Sequence, residues 1–98
     1  MGRVPREKPK HLAKKLLQIR IDLNLSQNEM LARLGLSDKV FRSAVSGYEL
    51  GKREPPLPVL LKFARLANVY VDALIDDEID LPQKLPSRSK SAGVKRRA

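Results

Sequence analysis

Apolar residues recur at helical spacing in five stretches of this 98-residue chain, and none alternates as a half-buried strand would. The first predicted helix covers about 9–23, where Leu12, Leu16, Ile19 and Leu23 are spaced by four, three and four. The second, about 26–34, opens with Ser26 as cap and Glu29 three residues on, a capping box. Leu25 and Met30 stand where a hydrophobic staple belongs. Gly35 follows as the left-handed residue that ends it. The third, about 38–50, has Ser37 as its expected cap and Gly51 just past its end. Phe41, Ala44, Val45 and Tyr48 form its apolar side, while Lys39, Arg42, Ser43 and Ser46 fall at i, i+3, i+4 and i+7 on another. A fourth helix follows Pro55-Pro56-Leu57-Pro58, since proline is tolerated in a first turn, and runs to about Ala67. Val59, Leu60, Phe63, Leu66 and Ala67 point to the core, and Asn68 ends it. A short fifth helix, about 71–76, adds Val71, Leu74 and Ile75. The expected fold is all-α, five helices around one small core.

The formal charge of +9 points to a polyanionic partner, but its distribution changes the picture. Arg3, Arg6, Lys8, Lys10, Lys14 and Lys15 against Glu7 give residues 1–15 a charge of +5. Lys84, Arg88, Lys90, Lys95, Arg96 and Arg97 give residues 81–98 a charge of +6, and the stretch between is −2. The basicity therefore lies at the two ends. We expect a flexible arm over 1–8, a folded domain over 9–80 and a disordered basic tail over 81–98, rich in Pro, Ser and cations. The ends either lie along DNA as arms or merely solvate the chain. The acidic run Asp76-Asp77-Glu78-Ile79-Asp80 is expected to face away from any nucleic acid or to hold a basic partner or tail.

With no cysteine and His11 alone, disulfides, thiolate metal sites and histidine dyads have nothing to be built from. His11 itself reads as an exposed first-turn residue. No nucleophile, base and metal set converges, so an enzyme is not expected, nor a cofactor. No apolar run reaches the roughly 20 residues that cross a bilayer, and no secretory h-region follows the basic start, so export is not expected and a cytoplasmic protein is. Few aromatics argue against stacking platforms for single strands.

Two short helices joined by a tight turn, the second with a free hydrophilic face, make the layout of a helix-turn-helix reader of the major groove. The chain resembles the Cro/lambda-repressor-like helix-turn-helix transcription regulators over roughly 12–76. The resemblance rests on four pieces in order: Arg20-Ile21-Asp22-Leu23-Asn24-Leu25-Ser26-Gln27; Leu34-Gly35; Val45-Ser46-Gly47-Tyr48-Glu49-Leu50-Gly51-Lys52-Arg53-Glu54-Pro55; and Leu60-Leu61-Lys62-Phe63-Ala64 through Asp72-Ala73-Leu74-Ile75. It implies a DNA-binding prokaryotic regulator, a likeness to repressors, that binds double-stranded DNA as a homodimer with the third helix in the major groove.

By that resemblance Gln27 contacts a phosphate beside the start of the second helix, and Lys52 and Arg53 contact phosphates after the third, or else serve as helix-dipole partners. Arg42, Ser43 and Ser46 match base-facing positions, and Lys39 shares their stripe; Arg42 suits guanine O6 and N7. Arg20 and Glu49 match a structural ion pair between the first and third helices. Two departures stand out. The chain between Gly35 and Val45 is about four residues longer than the family spacing, close to one helical turn, so an extended start of the third helix is expected. Gly47 sits where relatives carry a long polar side chain, at a cost of about 1 kcal/mol in a helix interior. The rival reading is a protein-binding module on the same scaffold, such as an antitoxin that holds a partner protein and regulates its own operon.

Overall fold

The computed structural model describes residues 8–36 and 43–86. Among them lie five helices in chain order: α1 Leu12–Asp22, α2 Gln27–Arg33, α3 Ala44–Glu49, α4 Leu57–Ala67 and α5 Asp72–Ile75. No described residue is in a strand. The all-α architecture expected from the apolar spacing is the one observed.

Four of the five helices stop in the same way. Asn24, Gly35, Gly51 and Asn68 adopt left-handed backbone, with φ of 61°, 75°, 76° and 62°. In each case the next amide donates to a carbonyl five residues back: Leu25 to Arg20, Leu36 to Leu31, Lys52 to Gly47 and Val69 to Ala64. These are Schellman closures, and they use glycine or asparagine because a Cβ is least costly or best compensated there. At its other end α2 carries the full capping box. The Glu29 amide donates to Ser26 Oγ at 3.0 Å and the Ser26 amide to Glu29 Oε1 at 2.7 Å. Those hydrogen bonds, chiefly the backbone one from Ser26, hold the Glu29 carboxyl below its ordinary range.

The described part of the third helix starts beside Ser43. Ser43 sits at the N-cap position with φ −101° and ψ 12°, outside helical geometry, and the first helical bond runs from the Gly47 amide to the Ser43 carbonyl. The described helix begins at Ala44, and the expected start at Asp38 lies outside the described residues. The expected cap Ser37, and Lys39, Phe41 and Arg42, lie outside the described residues.

Leu12, Leu16 and Ile19 of α1, Met30 and Leu31 of α2, Ala44, Val45 and Tyr48 of α3, and Val59, Leu60, Phe63, Ala64 and Ala67 of α4 close one core, with Leu74 from α5. Phe63 is fully buried and meets the Tyr48 ring edge-on, centroids 6.4 Å apart at 75°. Ile75, expected inside, is 43 % exposed, because the four-residue α5 is too short to bury a full stripe. Packing also continues past Asp80. Leu81 is buried, Leu85 rests on the core, and the Asn68 side-chain amide donates to the Pro86 carbonyl at 3.3 Å.

Two contacts tie α1 to the end of the domain. Lys15 is only 5 % exposed, and its Nζ donates to the carbonyls of Ala73, Asp76 and Ile79 at 2.9, 2.9 and 2.6 Å. That is three donors on three acceptors, the full inventory of an ammonium group. The lysine counted with the basic N-terminal stretch is therefore an internal fastener. Asp77 reaches the opposite way: its carboxylate accepts from the Lys10 amide at 2.9 Å and the His11 amide at 3.1 Å. It caps α1 from 66 residues away, where exposed His11 offers no side-chain cap of its own. The acidic run is thus drawn into fastening the fold.

The Lys10 and then the His11 amide bonds hold the Asp77 carboxyl below its ordinary value of 3.8. A lowered folded-state pKa means stability that is complete above the unfolded value and lost as pH falls through the folded one. Asp77→Asn should lower the thermal midpoint at neutral pH, and its deficit against the parent should close as pH drops below 3.8. Thermal melts over that range check it. A deficit independent of pH would show that the carboxylate charge plays no part.

Candidate nucleic-acid interface

Helix α2, the turn through Gly35 and helix α3 form the helix-turn-helix unit. Its geometry is fixed by one carboxylate. The Glu49 side chain is 5 % exposed. Its Oε2 accepts from Arg20 Nε at 2.6 Å, and its Oε1 accepts from Arg20 Nη2 at 3.2 Å and from Gln27 Nε2 at 3.0 Å. Arg20 spends a further donor on the Leu25 carbonyl at 2.9 Å, in the turn between α1 and α2. A bidentate guanidinium–carboxylate pair has a preferred plane and direction, so the pair sets orientation as well as contact. Three helices are joined through this group.

The same carboxylate places Gln27 at the first turn of α2. Its amide is exposed on the surface, yet one of its N–H groups is held by Glu49. At the far end of α2, the Lys62 Nζ of α4 donates to the Leu34 carbonyl at 3.0 Å and closes the turn from outside.

On α3, Ala44, Val45 and Tyr48 are turned to the core. The opposite side carries exposed Ser43, half-buried Ser46 and exposed Leu50, at i, i+3 and i+7. Leu50 is 65 % exposed, and its outward place follows from that same period, although the sequence pattern marks it only as the helix end. Lys52 and Arg53 follow in the exposed loop. Of the expected site residues, the structure thus places Ser43, Ser46, Lys52 and Arg53 on or beside α3, Gln27 next to them through Glu49, and Arg20 beneath. Lys39 and Arg42 lie outside the described residues.

Tyr48 contributes from below. Burial raises its phenol above the ordinary value of 10.0, and the nearby Arg53 charge opposes that rise, so the hydroxyl stays neutral. An open cleft beside it, of about 190 Å³, is bounded by Lys8, Lys10, Ala13, Tyr48, Gly51 and Arg53.

The sequence profile of a helix-turn-helix family matches residues 16–74, more than half of the 98. The chain belongs to that family, of the Cro/lambda-repressor type. Its fold is similar to that of the P22 c2 repressor protein, solved in complex with a synthetic operator (TM-score 0.59, 21 % identity, covering 67 % of this chain and 94 % of that one). It is also similar to a hypothetical transcription factor, NHTF, from Neisseria (TM-score 0.56, 26 % identity, covering 74 % of this chain and 86 % of that one). No curated protein matches the chain at a significant level.

Glu49→Gln would leave the Arg20 charge without its counter-ion in a mostly buried place, a loss of about 3 kcal/mol in unfolding free energy. Replacing both partners at once, Arg20→Met with Glu49→Leu, should recover most of it. Urea denaturation measures both. A single variant within about 0.5 kcal/mol of the parent would show that the pair is only a surface contact.

Proposed function

We propose that this chain is a sequence-specific double-stranded DNA-binding transcription regulator that lays α3 in the major groove and acts as a homodimer. The observation that carries the reading is the outward stripe of Ser43, Ser46 and Leu50 on a helix whose opposite side is sealed into the core of a helix-turn-helix unit. Short side chains on that stripe let the helix backbone approach base edges closely. Hydroxyls offer both donor and acceptor, and Leu50 offers an apolar surface suited to a thymine methyl.

In this reading Ser43 and Ser46 face bases, joined by Lys39 and Arg42 from the segment that precedes α3. Gln27, Lys52 and Arg53 hold phosphates on either side. Gln27 suits that task because Glu49 holds its amide in place at the start of α2. The operator-bound repressor of similar fold supports the mode of binding. For dimerisation, α4 and α5 leave Leu57, Leu61 and Ile75 exposed, at 78, 38 and 43 %. Among the described residues no helix is long and apolar enough to cross a membrane.

The test is selection of bound fragments from randomised duplex DNA, followed by fluorescence anisotropy across a salt series. A dyad-symmetric site is expected, with half-sites about 10 base pairs apart. The association constant should fall linearly with salt on logarithmic axes, by about 0.9 in slope per phosphate neutralised. No enriched sequence, or an affinity indifferent to salt, would overturn the proposal.

A further inference from the structure

Gly47 is a residue of α3 whose lack of a side chain neither the core nor a turn requires. It lies inside the helix, where glycine is unfavourable, and its backbone has no left-handed angle to call for it. What it does have is a close neighbour. A Cβ built on Gly47 would stand 3.0 Å from Arg53 Cδ, 3.2 Å from Cγ and 3.5 Å from Nε. The aliphatic stem of Arg53 therefore lies so close over Gly47 that a Cβ there would push it back by a few tenths of an ångström. The backbone enforces the approach, because the Lys52 and Arg53 amides both donate to the Gly47 carbonyl, at 2.9 and 3.2 Å. Among the described residues no hydrogen bond or salt bridge engages the Arg53 guanidinium, and the residue is exposed.

We propose that Gly47 is a seat for Arg53: the notch draws the arginine stem back onto α3, so that a cation from the following loop takes the place of the side chain Gly47 lacks and binds duplex DNA there. The inference rests on the DNA-binding reading and deepens it. An arginine in a loop must give up considerable side-chain entropy on binding, whereas one already laid along a helix has lost part of it beforehand. The guanidinium presents planar paired donors, which suit either a phosphate or the O6 and N7 edge of guanine.

The experiment compares the full chain with Gly47→Ala, Arg53→Ala and the double variant. The probe is the duplex that the parent protein selects from a randomised pool, alongside sheared duplex DNA of mixed sequence. Alanine is the better helix former, so Gly47→Ala should melt at or above the parent temperature while binding the selected duplex about tenfold more weakly. Arg53→Ala should lose a similar factor, and the double variant no more than the weaker single, since both changes remove one contact. A loss that is equal on both probes assigns the contact to phosphate; a loss confined to the selected duplex assigns it to a base edge. Either supports the seat. Undiminished binding by Gly47→Ala, or losses that multiply in the double variant, overturns it. A nuclear Overhauser contact between the Gly47 α-protons and the Arg53 side chain, expected in the free protein, tests the seat without DNA, and its absence would also overturn it. Failure of the parent to bind any duplex, with that contact present, would instead overturn the DNA reading and with it the task assigned to Arg53.

Discussion

A carboxylate taken almost wholly out of water must be met by donors, and the helix-turn-helix unit is arranged around that requirement at Glu49. Its two oxygens take three hydrogen bonds, two from Arg20 on α1 and one from Gln27 on α2, while its own backbone belongs to α3. Satisfying one buried charge therefore sets the mutual orientation of three helices. A purely apolar contact would tolerate sliding; a planar guanidinium on a planar carboxylate does not. The consequence reaches the surface, because the Gln27 amide held by Glu49 stands at the start of α2, beside the outward stripe of α3. Lys15 applies the same logic with opposite sign at the other end of α1, a buried ammonium met by three carbonyls.

Much of the fold was legible in the sequence because its devices are local. The capping box at Ser26 and Glu29, the left-handed stops at Gly35, Gly51 and Asn68, and the apolar spacing of α1 and α4 each involve residues within a turn or two of one another. The Arg20–Glu49 contact, 29 residues apart, was legible only through resemblance to a family, since spacing along one helix says nothing about a partner on another. What stayed hidden was long-range and polar. Lysine is the residue least expected inside, so Lys15 was counted with the basic N-terminal stretch. Asp77 capping α1 across 66 residues leaves no trace in either local sequence. The hydrophilic period from Lys39 to Ser46 fits one helix; its first part lies outside the described residues, and within them Ser43 stands at the N-cap of α3.

Gly47 shows how an odd residue on a regular pattern gains meaning from its neighbours. On a helical wheel it is a gap in the outward face. In the folded chain the gap is filled, because the left-handed turn at Gly51 brings Lys52 and Arg53 back against the Gly47 carbonyl and the Arg53 stem across its α-carbon. The closure of α3 and the chemistry of its surface are thus one piece of geometry. The outward side that results has small hydroxyl side chains, one exposed leucine and a nearby pair of cations, a surface suited to close approach against a polyanion.

In the proposed function the α2–α3 unit, with its outward stripe, is the surface that meets duplex DNA. The most direct measurement is a titration of the ¹⁵N-labelled protein with its selected duplex, following backbone amides by NMR. The largest shifts should fall on residues 26–28, 43–47 and 50–53, while α4 and α5 respond weakly except where protomers meet. Shifts concentrated on α4 and α5 with residues 43–47 silent would contradict it.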